Sequence, residues 1–222
     1  MAITRVQYKT GTSNGDNATL TFSMDTAPTN GNILILAFGS YNVTSISSIT
    51  QTGVTWSSVR DQVGTTSLVG LCAIWKGIVG SDASASLTID VNDGSSQFLA
   101  ACVCEYSGLS GEVDGVNSAN SGSVASLSTG SADVTVSGSL AIVAADTYST
   151  GIPTADNDFS LIARYNSVGH GAYFERNNVS TGSISSTVSL SPNDFLTLCI
   201  AVFKPEEISA GQQLFTLIND IY

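Results

Sequence analysis

Apolar residues in this chain fall in short runs cut repeatedly by Gly, Ser, Asn, Asp and Pro, the spacing of many strands joined by tight turns. The pattern predicts strands over residues 18–24, 33–41, 68–75, 85–91, 98–106, 140–146, 159–165, 171–175, 184–190 and 195–203. Within Ser86-Leu87-Thr88-Ile89-Asp90-Val91 the alternation puts Leu87, Ile89 and Val91 on one face, so that strand has a buried side and a wet side. Leu71-Cys72-Ala73-Ile74-Trp75 alternates in the same way.

Laying the first half of the chain on the second exposes an internal duplication. Gly31-Asn32-Ile33-Leu34-Ile35-Leu36-Ala37 matches Gly138-Ser139-Leu140-Ala141-Ile142-Val143-Ala144, and both open a unit. Trp56 and Arg60 find Phe159 and Arg164, and Ala73-Ile74-Trp75 finds Ala172-Tyr173-Phe174. Ser84-Ala85-Ser86-Leu87-Thr88 then meets Ser183-Ile184-Ser185-Ser186-Thr187, and Phe98-Leu99 with Cys102 meets Phe195-Leu196 with Cys199. A half of this size cannot bury an apolar face alone, whereas two packed face to face can. The expectation is an all-β, two-sheet antiparallel sandwich of jelly-roll type, built from two internally similar halves and followed by a short C-terminal helix. The sandwich occupies residues 1–205, with halves at about 25–108 and 132–204. The polar stretch 107–135, rich in Gly, Ser, Asn and Asp, is expected to connect them as an exposed arm or short edge strands.

The pattern changes after Phe203-Lys204-Pro205. Pro205-Glu206-Glu207 reads as a helix start, with acids near the positive end of the helix dipole. Leu214, Leu217, Ile218 and Ile221 follow at helical spacing, flanked by Phe215 and Tyr222, so 206–222 predicts an amphipathic helix. An isolated helix of that length is marginal in water, so its stripe must dock on its own sandwich or anchor in a neighbouring subunit.

Composition narrows the function classes. The formal net charge is −11, which repels a phosphate backbone, and nucleic acid is rejected as a partner. A membrane is rejected too: no polybasic segment and no apolar run of about 18 residues is present. Met1 leads directly into polar sequence without a signal-peptide pattern, so the expected location is a virion, made in the host cytoplasm; an extracellular protein whose leader was removed is the alternative. Cys72, Cys102, Cys104 and Cys199 each sit inside an apolar run, which reads as buried free thiols, and no CxxC pair supports a zinc ribbon.

Catalytic chemistry finds little support, and the chain reads as no enzyme. His170, the only histidine, sits between Gly169 and Gly171 without a GxSxG elbow, so neither a Ser-His-Asp arrangement nor a multi-histidine metal site is expected. Asp16, Asp61, Asp82, Asp93, Asp114, Asp156, Asp158 and Asp194 lie in turn-like sequence where Asp caps its own backbone. Glu105 and Glu175 sit in strands beside aromatics, and pairing of Glu105 with Arg176 or Arg60 is expected. Weak calcium binding around Asp90, Asn92 and Asp93 lacks a DxDxDG motif. No cofactor is expected.

Four segments carry a resemblance: Ala27-Pro28-Thr29-Asn30-Gly31-Asn32-Ile33-Leu34-Ile35, Val54-Thr55-Trp56-Ser57-Ser58-Val59, Ile74-Trp75-Lys76-Gly77, and Glu105-Tyr106-Ser107-Gly108-Leu109 followed by Asp114-Gly115. Together they resemble jelly-roll β-sandwich domains found in tailed-phage virion proteins and bacterial surface proteins. The resemblance implies a virion structural protein, either a capsid decoration protein or a spike or tail-fibre component. Its partners would be its own copies, in a homo-oligomer such as a trimer, or other virion proteins. The terminal stripe Leu214, Phe215, Leu217, Ile218, Ile221 and Tyr222 lies outside the resemblance; its amphipathic spacing alone suggests a docking or anchoring segment. The competing class is a carbohydrate-binding module for a host-surface glycan, with Trp56, Trp75, Tyr148, Tyr165 and Tyr173 as candidate sugar platforms.

Overall fold

A computed structural model describes residues 2–15, 18–65, 70–92, 97–147, 153–164 and 171–207. Every regular element among them is a strand, and the strand pairs are antiparallel. The first half holds β1 (Thr4–Gly15), β2 (Thr19–Ser23), β3 (Ile33–Ser40), β4 (Ile46–Thr50), β5 (Val54–Val63), β6 (Leu71–Val79), β7 (Ser86–Val91) and β8 (Gln97–Ser107). The second holds β9 (Leu109–Ser128), β10 (Ala132–Val134), β11 (Ser139–Thr147), β12 (Thr154–Ala155), β13 (Ser160–Arg164), β14 (Gly171–Val179), β15 (Gly182–Ile184) and β16 (Thr187–Pro205).

In the first half, a five-stranded sheet ordered β1-β8-β3-β6-β5 stacks on a three-stranded sheet ordered β2-β7-β4. The second half repeats this plan. Its larger sheet runs β12-β16-β11-β14-β13, with β9 pairing β16 as β1 pairs β8, while β10 and β15 form a separate small pair. The expected single pair of sheets is therefore two pairs: each half builds both of its layers from its own strands, and the halves meet through their larger sheets.

The cores explain why the central strands read as unbroken apolar runs. Alternate residues of β3 go to opposite sides: Leu34, Leu36 and Phe38 enter a core confined to the first half, while Ile33, Ile35 and Ala37 enter a core shared by both halves. β11 does the same, sending Ala141, Val143 and Ala145 inward and Leu140, Ile142 and Ala144 to the shared seam. A strand covered on both faces has no wet side to mark with polar residues. At the outside the alternation returns: β7 buries Leu87, Ile89 and Val91 and leaves the positions between them partly or fully exposed.

The registers correct one match. Ser58 and Arg60 of β5 oppose Trp75 and Ile74, while Leu161 and Ala163 of β13 oppose Phe174 and Tyr173. Trp75 corresponds to Phe174 and Ile74 to Tyr173, so the counterpart of Arg60 is Ala163, not Arg164. Both strands carry a bulge at this point, which turns Val59 and Ile162 toward the shared core.

The stretch 107–135 follows the edge-strand alternative rather than the exposed arm, with a strand longer than expected. It contains β9, whose polar residues face β5 across the seam: Arg60 donates to Ser118 Oγ at 2.7 Å, Ser118 Oγ to Gln62 Oε1 at 2.7 Å, and Asn120 Nδ2 to the Val63 carbonyl at 2.7 Å. Hydrogen bonds replace apolar contact there, so hydropathy gives no strand signal. The expected helix is not seen where it would begin: Glu206 and Glu207 are irregular, and Leu214, Phe215, Leu217, Ile218, Ile221 and Tyr222 lie outside the described residues.

Candidate functional site

The seam between the two larger sheets is apolar in the middle and polar at its ends. In the middle, Cys72 Sγ donates to the Ala144 carbonyl at 3.4 Å and Cys199 Sγ to the Cys72 carbonyl at 3.3 Å, so both thiols tie one half to the other. All four cysteines are buried and free; Cys102 and Cys104 share a face of β8 with their sulfurs 3.9 Å apart.

At one end, β1 and β14 cross. Arg5 Nη1 donates to Glu175 Oε1 at 2.6 Å and the Tyr106 hydroxyl to Glu175 Oε2 at 2.6 Å, with the Tyr173 hydroxyl 3.5 Å from that of Tyr106. Burial, with Cys104 and Glu175 nearby, pushes the Tyr106 phenol well up, which keeps it a donor. Lys76, the counterpart of Glu175, makes the matching crossing by donating to the Gly111 carbonyl of β9 at 2.5 Å. The two crossings are related by the duplication and have diverged in charge.

Both ends of the described chain meet beside this crossing. The Glu206 amide donates to the Gly108 carbonyl at 2.8 Å, and a side chain at Gly108, whose φ is +78°, would come within 2.7 Å of the Ala2 carbonyl oxygen. A cleft of about 590 Å³ opens here, with Ile3, Val136 and Pro205 as apolar lining and Asn177, Asn178 and Glu207 as polar lining. A smaller cleft of about 260 Å³ lies on the other side of Pro205 and Glu207, beside the Lys204–Glu112 ion pair.

The other candidates resolve as follows. Glu105 is buried but pairs with no arginine: its carboxylate accepts from Gln7 Nε2 at 2.6 Å, Asn32 Nδ2 at 2.6 Å and the Thr29 amide at 2.8 Å. Its side chain meets β1 and the turn before β3, whereas Arg60, on β5 at the far edge of the same sheet, bonds Ser118 across the seam and Arg176 bonds the Asn157 carbonyl. Tyr173 is fully buried in the seam, and Trp56 and Trp75 pack against the first half's core, so these three form no exposed sugar platform. Tyr148, Tyr165 and His170 lie outside the described residues. Asp90 accepts from the Thr19 and Ser48 hydroxyls, and Asn92 Oδ1 accepts from the Ser45 amide, which occupies the suggested calcium ligands; Asp93 lies outside the described residues. Among the described residues no group of three or more His, Cys, Asp or Glu could hold a metal ion.

No family model matches the chain, and no curated protein or solved structure matches it either.

The expectation that the aspartates cap their own turns holds only in part: Asp61 and Asp114 lie in strands, and Asp114 and Asp156 take backbone amides distant in sequence, while Asp16 and Asp93 lie outside the described residues. Asp114 accepts from the Thr135 amide and hydroxyl at 2.5 Å and the Val136 amide at 3.3 Å. Burial would raise its carboxyl, but these bonds outweigh it and hold the group below the usual range. Asp156 likewise takes the Thr187 amide at 2.6 Å and the Ser186 hydroxyl at 3.2 Å. The sequence missed Arg5, Gln7 and Asp146. The signal for Asp146 was present in the duplication: the offset that matches Ile33 to Leu140 puts Gly39 against Asp146.

Proposed function

We propose that this protein is a virion structural component, a capsid decoration protein or part of a spike or tail fibre, acting through its surfaces on its own copies and on other virion proteins. The observation that carries this reading is strand order. In each half the first strand pairs the last, the last pairs the third, the third pairs the sixth, and the second pairs the seventh or its equivalent. We read this as two jelly rolls packed back to back, in keeping with the resemblance at residues 27–35, 54–59, 74–77 and 105–115. Such a body is a rigid block with its ends free for contact.

Glu207, the last described residue, lines both clefts. The stripe Leu214, Phe215, Leu217, Ile218, Ile221 and Tyr222 serves as the anchor to a neighbouring subunit. The protein is made in the host cytoplasm and carried in the particle.

Mass spectrometry and imaging of purified particles test this directly: the full chain is expected on the particle surface, and its absence rejects the reading. Deletion of 208–222 should leave the circular dichroism spectrum of the β body unchanged and lower particle occupancy at least tenfold. A deletion variant that binds particles normally removes the anchor. Binding to a glycan array that survives the deletion would favour a carbohydrate-binding module instead.

A further inference from the structure

The other end of the seam carries an acid that no cation meets among the described residues. Asp146, near the end of β11, is 2% exposed. Its counterpart in the duplication is Gly39 of β3, and the two meet: a Cβ built on Gly39 would lie 2.7 Å from Asp146 Oδ1 and 3.3 Å from the carboxyl carbon. The second half's carboxyl thus fills space that the first half leaves open by having glycine at the matching position. Backbone N–H groups of Ser40, from the opposite half, and Thr147 point at it.

Ion pairs among the described residues join Arg5 to Glu175, Lys9 to Asp25, Arg176 to Asp158 and Lys204 to Glu112, and none reaches Asp146. Among the described residues the titratable groups facing it are Asp194 of β16, itself 5% exposed, and the buried thiol of Cys72 on β6; β14 places Gly171 opposite it, and β3 presents Gly39 and Ser40. Thr197 stands directly opposite Asp146 in the β11–β16 register, and its buried hydroxyl has no hydrogen-bond partner among the described residues. A carboxyl that keeps its proton brings a donor to this face. A carboxylate is met by the Ser40 and Thr147 amides but by no cation among the described residues, and it stands next to a second acid.

We propose that Asp146 is a proton-dependent latch between the two halves: un-ionised, it seats against Gly39 and Ser40 and holds this end of the seam shut, and once ionised it draws water in and loosens it. Burial, the largest influence, pushes the Asp146 carboxyl well above the ordinary range; the Ser40 and Thr147 amides oppose it and Asp194 adds to it. The folded-state value is therefore higher than the unfolded one. The stabilisation is fully present below the ordinary aspartate value of about 3.9 and is lost as pH rises from there through Asp146's own raised value. Burial also pushes the Cys72 thiol up, so it stays neutral through this window.

The test compares the full chain with Asp146→Asn, which keeps the shape and cannot ionise. In the wild type, amide exchange of residues 33–40 and 140–147, corrected for its intrinsic pH dependence, should accelerate by up to about tenfold per pH unit within the window, the limit for one proton. In the variant that acceleration should vanish, and its melting temperature should fall less between pH 5 and pH 9. The same pH slope in both proteins overturns the latch. The carbon-13 resonance of the wild-type Asp146 carboxyl provides a second readout that does not require the variant to fold: titration in the ordinary carboxylate range overturns the proposal, and titration well above it supports it.

Discussion

Phe203→Ala should lower the unfolding free energy by about 3–5 kcal/mol, the upper part of the range for large-to-small core changes. Phe203 is fully buried in the shared core, opposite Leu140 on β11 and Val113 on β9. Such a hole is ordinarily reduced by neighbours moving in. Here the sheets on either side of the seam are each held from behind by a second core, through Leu34, Leu36 and Phe38 in one half and Val143, Ile200 and Val202 in the other, so they have little freedom to close on the gap. Tyr8→Ala is the control: Tyr8 is 45% exposed and should change stability by no more than about 0.5 kcal/mol. Urea denaturation of both variants checks this, and a loss below about 1 kcal/mol for Phe203→Ala would mean that the seam is not a packed core.

Glu105→Leu should cost about 1–3 kcal/mol for a different reason. The carboxylate gathers Gln7, Thr29 and Asn32, donors from β1 and from the turn before β3, with bond lengths of 2.6 to 2.8 Å. Leucine suits the strand and its apolar neighbours but removes three bonds to a charged acceptor, a loss that water partly offsets because Gln7 and Asn32 are half-buried and Thr29 is exposed. The duplication supplies the comparison. Glu105 corresponds to Val202, which sits in the second half's own core, so Val202→Leu adds a methylene without removing a bond and should cost about 1–3 kcal/mol by overpacking. Thermal melts of the two variants separate the effects: Glu105→Leu should also speed amide exchange at Thr29 and along β1, and Val202→Leu should not.

Much of the architecture was legible because side-chain period and duplication are local or pairwise properties. Continuous apolar runs at 33–38 and 140–145 marked strands, and the ordered matches set β3 against β11, β6 against β14 and β8 against β16. Strands that spend their hydrogen-bonding side chains on neighbours were not legible. β9 reads as a Gly, Ser and Asn linker, and β1 as a polar lead-in, because Ser118, Asn120 and Gln7 act through partners distant in sequence. The prediction of a two-sheet body failed for a related reason: a strand covered on both sides has the same sequence whether the second cover comes from its own half or from the other.

By itself the sequence determined an all-β chain of two similar halves with an apolar interior and a strongly acidic surface, since those follow from which residues avoid water and how often they recur. Only the tertiary structure decided that each half closes on its own core, that the halves join through their larger sheets, and that Glu105 is held by amides while Asp146 lies against Gly39. Burial and pairing depend on what arrives from the other side of the fold, and a carboxyl in a strand carries no record of whether an arginine, an amide or a bare glycine will face it.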